Sequence, residues 1–198
     1  MELDENMQLM IESHIQPRMT DFTGLSYLVK GLINSPLSDD SIVVEIGTYH
    51  GVTAALMGRI LKYLGKKNCI LSIDPFEDYI PDKYNARGNY SEYKKTIDYY
   101  GVKDICFCLT GCSQRVASAV SDKITFLAID GSHMYEDVLE DLSLFVPKVK
   151  KDGYIWLDDY NSEYYPGVVR AVDQMLGDCQ NFDLVFQYPS FVLFKKLG

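Results

Sequence analysis

The chain has 198 residues, of which 47% are hydrophobic and 24% charged, an ordinary globular composition that excludes a disordered chain. Its length suits one domain with a substantial core. The net charge of −9 argues against nucleic acid as a partner, because phosphate binding requires a basic face.

The cysteines and the N-terminal segment both indicate a cytoplasmic protein. Five cysteines without a C-x-x-C pair are typical of reduced thiols. The segment MELDENMQLMIESH is acidic and lacks the apolar centre of a signal peptide. Because every apolar run is too short to span a bilayer, we expect no membrane partner.

The first part of the chain is predicted to alternate between helices and strands. Thr20 or Asp21 can cap the second helix, and the β-branched run IVVEI suits a strand buried on both faces. A glycine-containing turn at 47–51 follows that strand. The predicted elements are helices over 1–18 and 20–34, a strand over 41–46, a helix over 52–64 and a strand over 68–73.

The same alternation continues after a loop predicted at 75–89. Helices are predicted over 91–100, 113–120, 135–149 and 166–176, and strands over 104–109, 124–129 and 154–157, the last preceded by a turn at 151–153. Segments 182–187 and 190–196 flank a Tyr-Pro turn and read as an antiparallel hairpin. The predicted fold class is α/β and Rossmann-like: a mostly parallel seven-stranded sheet with helices on both faces and a C-terminal antiparallel hairpin.

Five acidic residues lie at the ends of predicted strands: Glu45, Asp74, Asp130, Asp158 and Asp159. In a parallel sheet the carboxyl ends of the strands share one edge, where ligands bind. Two of these acids suit a cofactor, and the other three could hold a hard divalent cation. Because neighbouring strand residues point to opposite faces, Asp158 and Asp159 reach one ion only if the chain turns there. Otherwise one of the pair caps the next segment.

The turn EIGTYHGVT (45–53) follows a strand and opens a helix. Glycine in such a turn lets the backbone approach a ligand closely. A full G-x-G-x-x-G is absent, which disfavours a dinucleotide. Asp74 ends the next strand and can accept hydrogen bonds from ribose hydroxyls. The alternative is a plain turn, with Asp74 capping a loop.

Two segments carry a resemblance to a known family. VEIGTYHGVTA, followed by SIDPFED, is similar to the cofactor motifs of class I S-adenosylmethionine-dependent methyltransferases. IDGSHMYEDVLEDLSLFVPKVKKDGYIWLDDY resembles metal-dependent O-methyltransferases of sugars and natural products, the macrocin O-methyltransferase-like group of methyltransferase family 24. A cephalosporin hydroxylase-like branch shares this second motif. The resemblance implies a single methyltransferase domain over 1–198, with the N-terminal helices of 1–40 packing on it.

The resemblance also implies which residues bind S-adenosylmethionine. Gly47 and Tyr49 would border its methionine part and Thr53 its carboxylate, while Asp74 would hold the ribose and Ser113 the adenine. A divalent cation, Mg²⁺, is implied at Asp130, Asp158 and Asp159. The complete set of implied cofactor-binding residues is Glu45, Gly47, Tyr49, Gly51, Thr53, Asp74, Ser113 and Asp130.

His133 is the candidate general base, since it follows Asp130 in the same loop and histidine suits proton transfer near neutrality. The alternative is a structural or merely exposed histidine. Catechol-type relatives have a lysine at this place, and some sugar methyltransferases have an aspartate one residue earlier, where this chain has Ser132.

The predicted function is S-adenosylmethionine-dependent methylation of a hydroxyl group on a small molecule, a sugar or a natural product. The alternatives are a hydroxylase-like enzyme of the same fold and a non-catalytic S-adenosylmethionine-binding protein. The apolar run SFVLF (190–194) is a candidate surface for a homo-oligomer, and a buried strand explains it equally well.

Overall fold

The computed structural model of the protein describes residues 1–15, 21–76, 88–161, 163–177 and 180–198. Within these residues one sheet forms the centre of the molecule. Its strands are β1 Ile42–Ile46, β2 Cys69–Asp74, β3 Cys106–Thr110, β4 Ile124–Ile129, β5 Val149–Asp158, β6 Phe182–Tyr188 and β7 Phe191–Lys196. The order across the seven-stranded sheet is β3-β2-β1-β4-β5-β7-β6. Strands β1 to β5 pair in parallel, and β7 pairs antiparallel with both β5 and β6, which confirms the predicted fold class.

Helices occupy the connections between the strands. They are α1 Glu5–Glu12, α2 Phe22–Asn34, α3 Val52–Tyr63, α4 Tyr90–Tyr99, α5 Ser113–Val116, α6 Tyr135–Phe145 and α7 Pro166–Val172. Asp21 caps α2, because its carboxylate accepts a hydrogen bond from the Gly24 N–H at 2.7 Å. Thr20, the other predicted cap, and most of the loop predicted at 75–89 lie outside the described residues.

The sheet is covered on both faces, and each face has its own apolar core. Val43 of β1 belongs to the core that α1 to α4 form, with residues such as Leu28 and Met57. Its neighbour Val44 belongs to the opposite core, with Leu142 of α6. This alternation along one continuous apolar strand is what burial on both faces requires.

Strand β5 is longer than predicted, and the preceding helix is shorter. α6 ends at Phe145, and a 3-10 turn at Val146–Lys148 follows, because Pro147 cannot donate a helical hydrogen bond. Pairing with β4 then steps from Ile124–Val149 to Phe126–Tyr154. Asp152, between those pairs, has a φ of 64°, so the predicted turn at 151–153 is a bulge inside β5.

Of the two expectations for the run SFVLF, the buried strand is confirmed and the exposed patch is not. Phe191 to Phe194 are at most 5% exposed, because β7 lies between β5 and β6 rather than at an edge. The exposed apolar side chains belong instead to the edge strand β6, at Leu184, Val185 and Tyr188. Among the described residues, no helix is both long enough and apolar enough to cross a bilayer.

Candidate active site

The candidate site lies where the order of the strands reverses. β1 pairs with β2 on one side and with β4 on the other, and a crevice opens outside the carboxyl ends of the strands at such a point. Gly47 follows β1, Asp74 ends β2, Asp130 follows β4 and Asp158 ends β5. The structure therefore places the predicted strand-end residues along one edge of the sheet.

The glycine turn after β1 lies directly against the end of β4. Gly47 has a φ of 80°, and a Cβ atom built on it would lie 2.0 Å from the carbonyl oxygen of Asp130. Only glycine fits this position, both for its conformation and for its contact. Gly51 is the N-cap of α3, and Thr53 lies half-buried in the first turn of that helix. The turn and the acid crevice are thus direct neighbours.

Asp74 holds the glycine turn in place. Its Oδ2 accepts hydrogen bonds from the backbone N–H groups of Thr48 and Tyr49, both at 2.9 Å, and its Oδ1 accepts one from Phe76 at 2.6 Å. Tyr49 has a φ of 51°, an unusual conformation that these bonds support. A carboxylate offers about four lone-pair sites, so a single acceptor position is left for a ligand hydroxyl.

Glu45 is buried beneath the turn and is only 1% exposed. The Ser72 hydroxyl on the neighbouring strand donates a hydrogen bond to its Oε2 at 2.8 Å. Burial raises the pKa of Glu45 to about 7, although the bond from Ser72 acts in the opposite direction. Glu45 is therefore a buried carboxyl group that links β1 to β2 and changes charge near neutral pH.

Ser113 begins α5, just after β3, and its hydroxyl donates a hydrogen bond to Oδ1 of Asp141 on α6. Burial raises the pKa of Asp141 to about 7, and the bond from Ser113 opposes that rise. Sequence reasoning missed Asp141. A signal was available, because Asp141 lies on the same helical stripe as Val138 and Phe145, which face the core.

Asp130, Asp158 and Asp159 meet in one crevice. Asp130 is an exposed residue, and one of its carboxylate oxygens lies within 4.8 Å of ligand atoms of His133 and Asp159. Loss of surrounding water, and then the charges of Asp158 and Asp159, raise the pKa of Asp130 well above its usual range. Burial and the charge of Asp159 raise the pKa of Asp158 to about 8.

The chain turns sharply where β5 ends, which is the condition under which Asp158 and Asp159 could reach one ion. Asp159 has a φ of 55°, which interrupts the alternation of strand side chains between the two faces. The charges of both carboxylates raise the pKa of Asp130. The crevice is lined by Ile129, Asp130, Gly131, Ser132, His133, Val138, Leu157, Asp158, Asp159 and Val168. Among these described lining residues there is no lysine or arginine to offset the negative charge.

His133 is held by two contacts at the same crevice. Its Nε2 lies 2.5 Å from Oδ2 of Asp159, and its ring stacks on Tyr165 with centroids 4.4 Å apart. Its Nδ1 is buried and has no hydrogen-bond partner within the described part of the chain. One ligand atom from each of Asp130, His133 and Asp159 lies within 4.8 Å of the other two. The three residues whose possible metal-binding atoms lie this close together therefore include His133. Asp158, the third predicted metal ligand, lines the same crevice.

This fold and crevice define the class of S-adenosylmethionine-dependent class I methyltransferases, and comparison with known proteins names the family. The chain belongs to the family described as "Methyltransferase domain" (methyltransferase family 24), whose model matches residues 44–160. Over 180 residues it is 29% identical to uncharacterized protein R132 of Acanthamoeba polyphaga mimivirus, covering 83% of this chain and 75% of R132.

Solved structures share the fold at low sequence identity. The O-methyltransferase NovP superposes with a TM-score of 0.75 at 21% identity, over 89% of this chain and 81% of NovP. The O-methyltransferase TomG of Streptomyces achromogenes, solved in complex with S-adenosylmethionine, has a TM-score of 0.67 at 12% identity, over 100% of this chain and 92% of TomG.

Proposed function

We propose that the protein transfers the methyl group of S-adenosylmethionine to a hydroxyl oxygen of a small molecule, a sugar or a natural product. The observation that carries this proposal is the position of Asp130. Its carbonyl oxygen touches the glycine turn at Gly47, and its carboxylate lies within 4.8 Å of His133 and Asp159. A methyl donor on the turn and a base on the loop would therefore border the same space. The names of NovP and TomG as O-methyltransferases support an oxygen acceptor.

The cofactor would lie along the turn and the ends of β2 and β3. Gly47 and Tyr49 border its methionine part, and Thr53 takes its carboxylate near the N-terminus of α3, where the helix dipole favours negative charge. Asp74 accepts one ribose hydroxyl with the lone pair that its three backbone bonds leave. Ser113 contacts the adenine, and Gly51 and Glu45 support the turn.

His133 would accept the proton of the attacking hydroxyl group. The oxygen forms a bond to the methyl carbon, the carbon–sulfur bond breaks with its electron pair going to sulfur, and the proton goes to the imidazole. Because the Asp159 carboxylate only accepts, the short contact requires hydrogen on Nε2 and leaves the proton-accepting lone pair on Nδ1, a buried atom that the bound acceptor must reach. Asp159 then stabilises the imidazolium that forms, as a carboxylate does beside a catalytic histidine.

A divalent cation held by Asp130, Asp158 and Asp159 would assist this step. The donor set fits a hard ion, because three carboxylates line one crevice and the described lining residues include no lysine or arginine. When bound, such an ion lowers the pKa of the acceptor hydroxyl and orients it. His133 already bonds Asp159 through Nε2, so we assign it to proton transfer rather than to the ion.

The proposal is tested by following labelled methyl transfer from S-adenosylmethionine to sugars and phenols, each paired with its fully O-methylated counterpart. We expect label only in the free hydroxyl compounds, and a large loss of transfer in His133→Gln without loss of S-adenosylhomocysteine binding. Glu163→Gln, an exposed change in the loop after β5, is the control and should retain activity. Failure of the wild type to bind S-adenosylmethionine would falsify the proposal. Methyl transfer that persists after a chelator has removed divalent ions would show that the cation takes no part in the proposed reaction.

A further inference from the structure

We infer that Asn161 is a positioning residue for the proposed base, because it fixes the loop whose two ends, Asp159 and Tyr165, hold the His133 ring. This inference rests on the proposed function, since it concerns the proton acceptor of the same reaction. Asn161 is not one of the described residues that line the crevice, so it acts through the residues that it holds.

The loop after β5 meets His133 at both of its ends. At its start, Oδ2 of Asp159 lies 2.5 Å from Nε2 of His133. At its end, the Tyr165 ring stacks on the imidazole with the two ring planes 23° apart. Helix α7 follows directly, and a Cβ atom on Gly167 would lie 2.7 Å from the carbonyl oxygen of His133. The position of the imidazole therefore depends on the shape of the loop between these ends.

Asn161 closes this loop on itself through its backbone and its side chain. Its N–H donates to the Asp159 carbonyl oxygen at 2.7 Å, and its carbonyl oxygen accepts from the Tyr165 N–H at 2.7 Å. Its Oδ1 accepts from the N–H groups of Glu163 and Tyr164, at 2.9 and 3.3 Å. An asparagine side chain that binds backbone groups two and three residues later stabilises a turn. One residue therefore contacts both ends of the loop and determines its path.

The other half of the Asn161 amide fixes the loop to the C-terminal hairpin. Its Nδ2 donates to the carbonyl oxygen of Pro189 at 2.7 Å, in the turn between β6 and β7. The Tyr160 N–H donates to the carbonyl oxygen of Ser190, the next residue of that turn, at 3.2 Å. Because β7 pairs with β5 in the sheet, this turn has a fixed position relative to the crevice. The loop is thus held against the sheet as well as closed on itself.

Only a side-chain amide supplies both functions of Asn161. It carries an acceptor oxygen and a donor nitrogen, whereas a carboxylate has no donor and alanine has neither group. Without these bonds, Asp159 and Tyr165 would no longer hold the imidazole in one place. A misplacement of about 1 Å in a reacting group costs on the order of 10²-fold in rate.

A role in stability alone makes a different prediction. It would lower the melting temperature of Asn161→Ala and leave the contacts of His133 unchanged in the protein that remains folded. The Nε2 proton of His133 would then stay on Asp159 in the variant as it does in the wild type. The exchange of this proton with water is therefore the informative quantity.

The experiment observes the histidine ring protons by NMR in protein labelled with ¹⁵N-histidine, in the presence of a chelator. The chain has three histidines, and His133→Gln identifies the signal of His133. In the wild type we expect a resolved Nε2 proton that exchanges slowly with water, because Asp159 accepts it. In Asn161→Ala the exchange should be fast enough to remove the signal. Asn181→Ala, an exposed change just before β6 at the other end of the hairpin, is the matched control and should retain the signal.

The same variants should differ in the rate of methyl transfer and not in cofactor binding. With a sugar or phenol that the wild type methylates, kcat of Asn161→Ala should fall on the order of 10²-fold with little change in KM. The dissociation constant of S-adenosylhomocysteine should stay at its wild-type value, because Asp74 and the glycine turn are untouched. Asn181→Ala should keep both values.

Asn161→Ser provides a second test if Asn161→Ala does not fold. The serine hydroxyl can still form a turn with the following N–H groups, but it is too short to reach Pro189, so the His133 Nε2 proton should exchange faster than in the wild type. An unchanged exchange rate in a folded Asn161→Ala or Asn161→Ser protein overturns the inference, as does loss of the signal from Asn181→Ala. The NMR measurement needs no methyl acceptor, so a wild type that shows the protected proton and transfers no methyl group refutes the proposed function alone.

Discussion

Replacing Asp74 by alanine should destabilise the protein even when no ligand is present. The carboxylate accepts hydrogen bonds from the N–H groups of Thr48, Tyr49 and Phe76, and the residue is only 7% exposed. Alanine leaves these three donors without their partner. It also leaves Tyr49 in a conformation, φ 51°, that an ordinary residue adopts only at a cost.

The size of the effect follows from these contacts. A hydrogen bond to a charged group contributes about 1.5–3 kcal/mol, and water entering the vacated space can satisfy part of what alanine leaves open. We therefore expect a loss of about 3–5 kcal/mol in the free energy of unfolding. In a protein of this size that lowers the melting temperature by roughly 6–20 °C. Asp74→Asn keeps one acceptor oxygen, so its loss should be about half as large.

Urea unfolding monitored by circular dichroism measures this difference. Asp104→Ala is the matched control, because Asp104 is an exposed acid whose partner is Lys62 at the surface. The control should be indistinguishable from the wild type. If Asp74→Ala were as stable as Asp104→Ala, the conclusion that Asp74 holds the glycine turn would be refuted.

Three further predictions concern the residues around this turn and the base. Gly47→Ala should lose all cofactor binding and at least about 3 kcal/mol in the free energy of unfolding, because its Cβ would meet the Asp130 carbonyl oxygen at 2.0 Å. The control Gly65→Ala, at a φ of 67° with no atom within 4 Å of the added Cβ, should lose only about 1 kcal/mol. Equal losses of the two variants in urea unfolding would contradict the packing argument. Glu45 keeps its proton in the folded protein up to about pH 7 and in the unfolded chain only to about 4.5, so its stabilising contribution is complete at low pH and is lost as the pH rises through this window. Between pH 4.5 and 8, the free energy of unfolding of the wild type should therefore fall by about 3 kcal/mol more than that of Glu45→Gln. Parallel pH–stability curves of the two proteins would show that the pKa of Glu45 is not raised. His133→Gln should lower methyl transfer on the order of 10²- to 10⁴-fold, whereas a wild-type rate in this variant would assign the base to another group.

Much of the fold was predictable because local patterns determine it. The apolar run before Asp130 and the β-branched run before Gly47 each become a strand in the predicted place. The gathering of acids at one edge also followed from sequence, since parallel strands that alternate with helices must all end on the same side. The start of β5 was missed, because the residues around Asp152 read as a turn and pairing with β4 continues beyond them.

The sequence by itself determined which segments become helices and strands, and which acidic residues lie at the ligand-binding edge. Only the tertiary structure decided how these residues are used: Asp74 binds the turn, Ser113 binds Asp141, and His133 binds Asp159. The partners in these pairs are 25 to 28 residues apart in the chain. Periodicity describes neighbours within one element, whereas a hydrogen bond between elements requires the positions and directions of two side chains, which packing of the whole sheet and its helices sets.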